Sequence, residues 1–177
     1  VYRLSKLRFG FPIGLFLLLL LDGSISQSFS VQLFHYPSAM VSHLVVLWLV
    51  CGAIFEADQG EAYPMPLASW AAVAGAVFDL YYTGIFGVYV FVFPVVIYVT
   101  RRLVLYIRPN FLSGLLIYFI DITIVEALGY LASRAIHLTT MSGSSFLVNT
   151  LGPTLAFNLA MFVILYFPIR WVYNWLK

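Results

Sequence analysis

Residues 67–100 carry one charged side chain, Asp79, in a long apolar run whose middle reads Gly75-Ala-Val-Phe-Asp79-Leu-Tyr-Tyr-Thr-Gly84-Ile-Phe-Gly87. A single helix over this run would be roughly 50 Å long, too long for a hydrocarbon core of about 30 Å. The run is therefore expected to form two membrane-spanning pieces with a sharp break near Gly84 to Gly87. Asp79 sits at that break, and a carboxylate is expensive to place in lipid. The chain is read as an integral membrane protein, with this hairpin as the part most specific to its job.

Composition agrees. The 177 residues are 63% hydrophobic and 9% charged, against about 25% charged in soluble domains, which excludes a soluble globular fold. About six spans of roughly 20 residues use the whole length, so a single membrane domain, 1–177, is expected, with no room for a soluble catalytic domain. Cys51 is alone; no intramolecular disulfide is possible, and it reads as a small packed residue. Arg3, Lys6 and Arg8 before Phe9–Leu21 resemble a signal peptide, but no small-residue cleavage site follows, so this is read as a retained first helix.

The expected spans are 9–26, 37–55, 67–82, 85–100, 111–133 and 146–169. Residues 56–66, with Glu56, Asp58, Glu61, Pro64 and Pro66, read as an acidic loop, and Arg101, Arg102 and Arg108 as a basic one. With six spans, Arg3, Lys6, Arg8, Arg101, Arg102, Arg108, Arg170 and Lys177 share one side and Arg134 stands alone on the other. That asymmetry places both termini in the cytoplasm. The expected fold class is all-α: a polytopic protein of six transmembrane helices in the cytoplasmic membrane.

No metal-ligand spacing, nucleophile elbow or phosphate-binding loop is present, and no cofactor or metal is expected. His35 and His137 fall in outer loops and are read as solvated. His43, near the start of the second span, is read as interfacial or bonded to a neighbouring helix. Four carboxylates lie at membrane depth. Asp22 reads as lying at the water interface. Asp79 has two open roles: satisfying backbone groups freed at the break, or contacting a substrate or partner. Asp121 and Glu126, five residues apart, point roughly 140° apart on a helix and cannot form one acid/base pair. Glu126, Tyr130 and Arg134, spaced by fours, are expected to form a polar stripe linking Glu126 to Arg134. Asp121 has no local partner and should face another helix or a cavity.

Small residues are set for close helix packing: Gly10 and Gly14 on the first span, and Ala68, Ala72 and Ala76 on the third, with Ala71 and Gly75 beside them. Internal packing and contact with a second protein both fit. Trp171, Tyr173 and Trp175, near Lys177, read as an interfacial aromatic belt.

The run from Gly75 to Pro94, above all Asp-x-Tyr-Tyr-Thr-Gly-Ile-x-Gly at 79–87, resembles the hairpin of the rod shape-determining protein MreD family. The Leu-rich opening that closes on Leu21-Asp22-Gly23 is similar to that family's first span, and Gly152-Pro153-Thr154-Leu-Ala-Phe157-Asn158 resembles its Pro-Thr…Asn pattern in the last. Asp79, Tyr82, Gly84, Gly87, Pro153 and Asn158 match family positions; Asp121, Glu126 and Arg134 are not anchored by the resemblance. It implies a bacterial inner-membrane protein of the cell-elongation machinery without enzymatic activity. Such a protein acts with MreC, and through it with MreB and the RodA–class B penicillin-binding protein pair. The chain also looks like the substrate-binding S components of energy-coupling-factor vitamin transporters, which have six helices.

Two functions remain open. One is a membrane scaffold whose surfaces a partner covers. The other is a small-molecule binder or transporter, with Asp79, Asp121, Glu126, Arg134 and Asn158 lining an outward cavity. The first span carries Gly10 and Gly14 where an S component has an Ala-x-x-x-Ala pair, and the outer loops are poor in polar residues, so the scaffold is favoured. Nucleic acid is not expected as a partner; the bilayer is. The oligomeric state is open, a homo-oligomer included.

Overall fold

The computed structural model describes residues 3–58, 65–84 and 86–176, and all regular structure in them is helical. The elements are α1 (Arg3–Ser28), a short α2 (Ser30–Leu33), α3 (Leu44–Asp58), α4 (Leu67–Phe78), α5 (Val88–Leu103), α6 (Phe111–Ala135), a short α7 (Gly143–Phe146) and α8 (Gly152–Leu176). A π-helical turn, Asp79–Thr83, prolongs α4, and a second, Leu147–Leu151, joins α7 to α8. Part of the acidic loop lies outside the described residues.

The helices are apolar on more than one face, which sets their places. Thirteen of the 15 residues of α3 are buried, so it is the central helix. α1 buries Leu7, Phe11, Leu15 and Leu19 at intervals of four, yet leaves Phe9, Ile13, Leu17 and Leu20 exposed on its other side. Large apolar side chains stand on the outside along α5, α6 and α8 as well, and hydrocarbon is the solvent that suits them. Among the described residues, three helices are long and apolar enough to cross a membrane: Lys6–Ser28, Phe111–Ala135 and Gly143–Leu176. The chain is a helical membrane protein.

α1 packs on α3, α4 on α5, α5 on α6 and α3, and α8 on α6 and α3. The closest approach is α4 on α5. A Cβ at Gly75 would stand 2.1 Å from the Tyr89 carbonyl oxygen, so only hydrogen fits there. At one end of the bundle, Arg101 Nη2 meets Glu56 Oε2 at 2.9 Å, Arg170 Nη2 meets Asp58 Oδ2 at 3.3 Å, and Lys6 sits over the Trp175 ring. This basic end collects the start of α1 and the ends of α3, α5 and α8. The opposite end collects the α4–α5 turn and the end of α6. Successive long helices therefore run in alternating directions.

Several sequence expectations need correction. α3 begins at Leu44, not near Pro37, and the chain before it is non-helical. Glu56, Asp58, Arg101 and Arg102 are helical rather than loop residues; ion pairs of Glu56 with Arg101 and of Asp58 with Arg170 hold the helix termini together. Tyr173 is no belt residue: it is 1% exposed and packs edge-on against Phe11, Trp48 and Phe55, while Trp171 and Trp175 are exposed. On α4, Ala71, Ala74 and Gly75 face the core; Ala68 is exposed and Ala72 and Ala76 are half-buried.

Candidate functional site at the hairpin end

The α4–α5 turn is built around Asp79. Its side chain is fully buried, and its carboxylate accepts from three backbone N–H groups: Gly87 (2.9 Å, to Oδ2), Tyr89 (3.0 Å, to Oδ1) and Val90 (3.2 Å, to Oδ2). These are donors at the start of α5 with no partner inside their own helix. Asp79 thus caps the next helix from the end of the previous one, where the helix dipole favours a negative charge. The chain reverses through Gly84 (φ 69°) and Gly87 (φ 117°), both in the left-handed region that favours glycine. Gly84 N–H donates to the Asp79 carbonyl at 2.8 Å, closing the π turn. Tyr82 Oη donates to the Leu19 carbonyl at 2.7 Å and ties the hairpin to α1. Leu80, Tyr81 and Phe86 are left exposed around this locked turn.

Asp22 repeats the device. Expected at the water interface, it is 2% exposed within α1, covered by the start of α3. It accepts from Ser42 Oγ (2.6 Å) and from the N–H groups of Leu44 (2.8 Å) and Val45 (2.9 Å), capping α3 from α1.

The non-helical segment before α3 is held by α8. Asn158 Oδ1 accepts from His43 N–H at 2.9 Å, and its Nδ2 donates to the Val41 carbonyl at 2.7 Å. Thr154 Oγ1 accepts from Val41 N–H at 3.1 Å, and Tyr118 Oη donates to the His43 carbonyl at 3.2 Å. Pro153 has no N–H to offer the Asn149 carbonyl four residues back, and that carbonyl accepts instead from Ala39 N–H at 2.7 Å. Irregular backbone at this depth is tolerable because protein groups satisfy it.

Glu126 does not link to Arg134. Its Oε1 lies 2.6 Å from His43 Nε2, a buried tie between α6 and the residue just before α3. Arg134 is exposed and donates to Tyr130 Oη at 2.9 Å, which in turn donates to the Met141 carbonyl at 2.8 Å. Asp121 faces α5, where Thr100 Oγ1 donates to its Oδ2 at 2.7 Å. Gly10 and Gly14 pack internally, against Leu176 and the Trp48 ring.

A cavity of about 280 Å³ opens beside the hairpin, lined by Asp22, Ser42, Phe78, Tyr82, Tyr89 and Glu126 among others. Of the five residues expected to line an outward cavity, Glu126 lines this one. Asp79, Asp121 and Asn158 are fully buried among their partners, and Arg134 lies at the end of α6. The bond expected from His43 to a neighbouring helix is present, but its partner Glu126, 83 residues away, and the capping role of Asp22, 22 residues from Leu44, carry no local signal in the chain. Among the described residues no cluster of His, Cys, Asp and Glu could hold a metal.

The sequence profile described as rod shape-determining protein MreD matches residues 5–176. The rod shape-determining protein MreD of Bacillus subtilis (strain 168) is 27% identical over 105 residues, a match covering 59% of this chain and 61% of that protein. No solved structure is significantly similar. With a match that runs from the first turns of α1 to the end of α8, through both acid-capped helix starts, the chain belongs to the MreD family of rod shape-determining proteins.

Proposed function

We propose that this chain is a non-enzymatic scaffold of the bacterial cell-elongation machinery. It is one domain of six membrane-spanning helices in the cytoplasmic membrane, with both termini in the cytoplasm. It binds MreC directly, and through MreC reaches MreB and the RodA–class B penicillin-binding protein pair. Membership of the family carries a role in rod shape determination; the partner and the surface are the finer reading. The observation that supports it is the hairpin turn. Leu80, Tyr81 and Phe86 are 63, 79 and 67% exposed on a backbone that Asp79 locks from beneath. A rigid cluster of large apolar side chains at the end of a bundle suits a partner's segment, since little ordering entropy is lost when it is covered.

The test is affinity purification from mild detergent with mass spectrometry of what co-purifies. MreC recovered in stoichiometric amount from wild type, and lost from Tyr81→Lys or Gly87→Trp, is the expected result. Full recovery of MreC by both variants would place the contact elsewhere.

A second reading, a small-molecule binder similar to transporter S components, draws on the 280 Å³ cavity with its two carboxylates and two tyrosines. Transporter ATPase subunits or a tightly held vitamin in the same purification, without MreC, would replace the scaffold by that reading.

A further inference from the structure

At the basic end, on the side away from the hairpin cavity, a groove of about 560 Å³ runs along α5 between α3 and α4. Its volume lies within the roughly 300–1,000 Å³ typical of ligand pockets. Ala53, Ala68, Pro94 and Ile97 make its apolar part, and small side chains on α3 and α4 leave the room. Leu105 and Tyr98 on its lip are 70 and 60% exposed.

The charges in the groove do not balance. Glu56 accepts from Arg101 Nη2 at 2.9 Å and from Met65 N–H, and Arg101 also donates to the Met65 carbonyl at 2.8 Å, so this acid and this base are spent on each other. Arg102 is different. Its Nε donates to Tyr98 Oη at 3.2 Å, and its guanidinium sits 5.2 Å from the centre of that ring. Among the described residues it faces no carboxylate, so its two Nη groups are left for an acceptor from outside.

We infer that this groove binds one anionic phospholipid, with the phosphodiester on Arg102 and an acyl chain along α5 towards Pro94. Among the described residues of the groove, Arg102 is the one uncompensated cation, and it matches the single charge of a phosphodiester. The order of the parts matches too. Arg102 stands near the end of α5, where headgroups lie, and Ile97 and Pro94 follow one and two turns deeper, where chains lie. Basic pockets between membrane helices hold acidic lipid headgroups by this arrangement, and Arg presents a fork suited to phosphate.

The test is native mass spectrometry of the purified protein in detergent, with equal amounts of dioleoyl phosphatidylglycerol and dioleoyl phosphatidylcholine. Phosphatidylglycerol adducts should exceed phosphatidylcholine adducts roughly fivefold, about what one surface arginine supplies. Arg102→Ala should bring the ratio to about one, Arg102→Lys should keep part of it, and Ala68→Trp, which fills the groove, should lower both adducts. Melting temperatures in detergent identify any variant that has lost its fold; Arg102, outside the core, should melt as wild type. Equal binding of both lipids by wild type, or a preference that survives Arg102→Ala, overturns the inference. So does displacement of the lipid by excess glycerol 3-phosphate, which would make the site one for a free phosphate.

Discussion

Two buried aspartates of this chain cap a helix other than their own, and a third does not. Asp79 accepts from backbone N–H groups at the start of α5, and Asp22 from those at the start of α3. Asp121 accepts once, from Thr100, and its Oδ1 has no partner. The same substitution should therefore act differently at the two kinds of site. Asp79→Asn puts an amide donor among three N–H donors and should cost about 1–3 kcal/mol. Asp121→Asn keeps an acceptor for Thr100 and removes a carboxylate with an idle oxygen, so it should change stability by less than about 1 kcal/mol. Thermal unfolding in detergent separates the two; equal losses would refute the capping account. The reason for Asp79 was open to reading, because the break that frees donors lies within ten residues of it. Local spacing misleads at Glu126. Glu126, Tyr130 and Arg134 do share a helix face, but His43 competes from the non-helical segment before α3, and no periodicity within α6 reveals it.

At the scale of elements, the α4–α5 hairpin follows from the chain itself: an over-long apolar run, a buried acid, and two glycines whose φ angles suit the reversal. The π turns do not follow so directly. They arise where helical hydrogen bonding is diverted, by the Asp79 cap in one case and by Pro153 in the other. Nor does pattern reveal which small residues matter most. Gly10 and Gly14 form the visible motif, yet the tightest contact is at Gly75. The obstacle there is backbone, the Tyr89 carbonyl, whereas at Gly10 it is the end of the Leu176 side chain. Backbone moves only if a whole helix moves, while a leucine can change rotamer. Gly75→Ala should thus destabilise by about 1–3 kcal/mol or more, and Gly10→Ala by clearly less. The unfolding midpoints of the two variants check this, and a larger loss at Gly10 would mean that α4 and α5 are not packed as described.

The whole molecule raises a question of reach. α3, α4 and α5 have 15, 12 and 16 residues, and at 1.5 Å per residue α3 is only about 22 Å long, short of a core of about 30 Å. α3 is nevertheless central, sheathed by other helices, so its ends meet protein rather than lipid. The missing length is supplied by the non-helical residues before Leu44, whose backbone groups end on Thr154, Asn158 and Tyr118. α4 gains its π turn and packs its backbone against α5. Six crossings are thus compatible with helices of unequal length, and the alternating directions place Tyr36 and Leu138 at one end and Tyr106 at the other. All three are well exposed, at 92, 61 and 85%, while Cys51, fully buried, is the single native thiol. In a Cys51→Ser background, Tyr36→Cys and Leu138→Cys should react with a membrane-impermeant maleimide in intact spheroplasts. Tyr106→Cys should react only after permeabilisation. The reverse pattern would invert the proposed orientation. Labelling of all three from outside would refute six crossings altogether, since helices in alternation cannot bring both ends of the bundle to one side of a membrane.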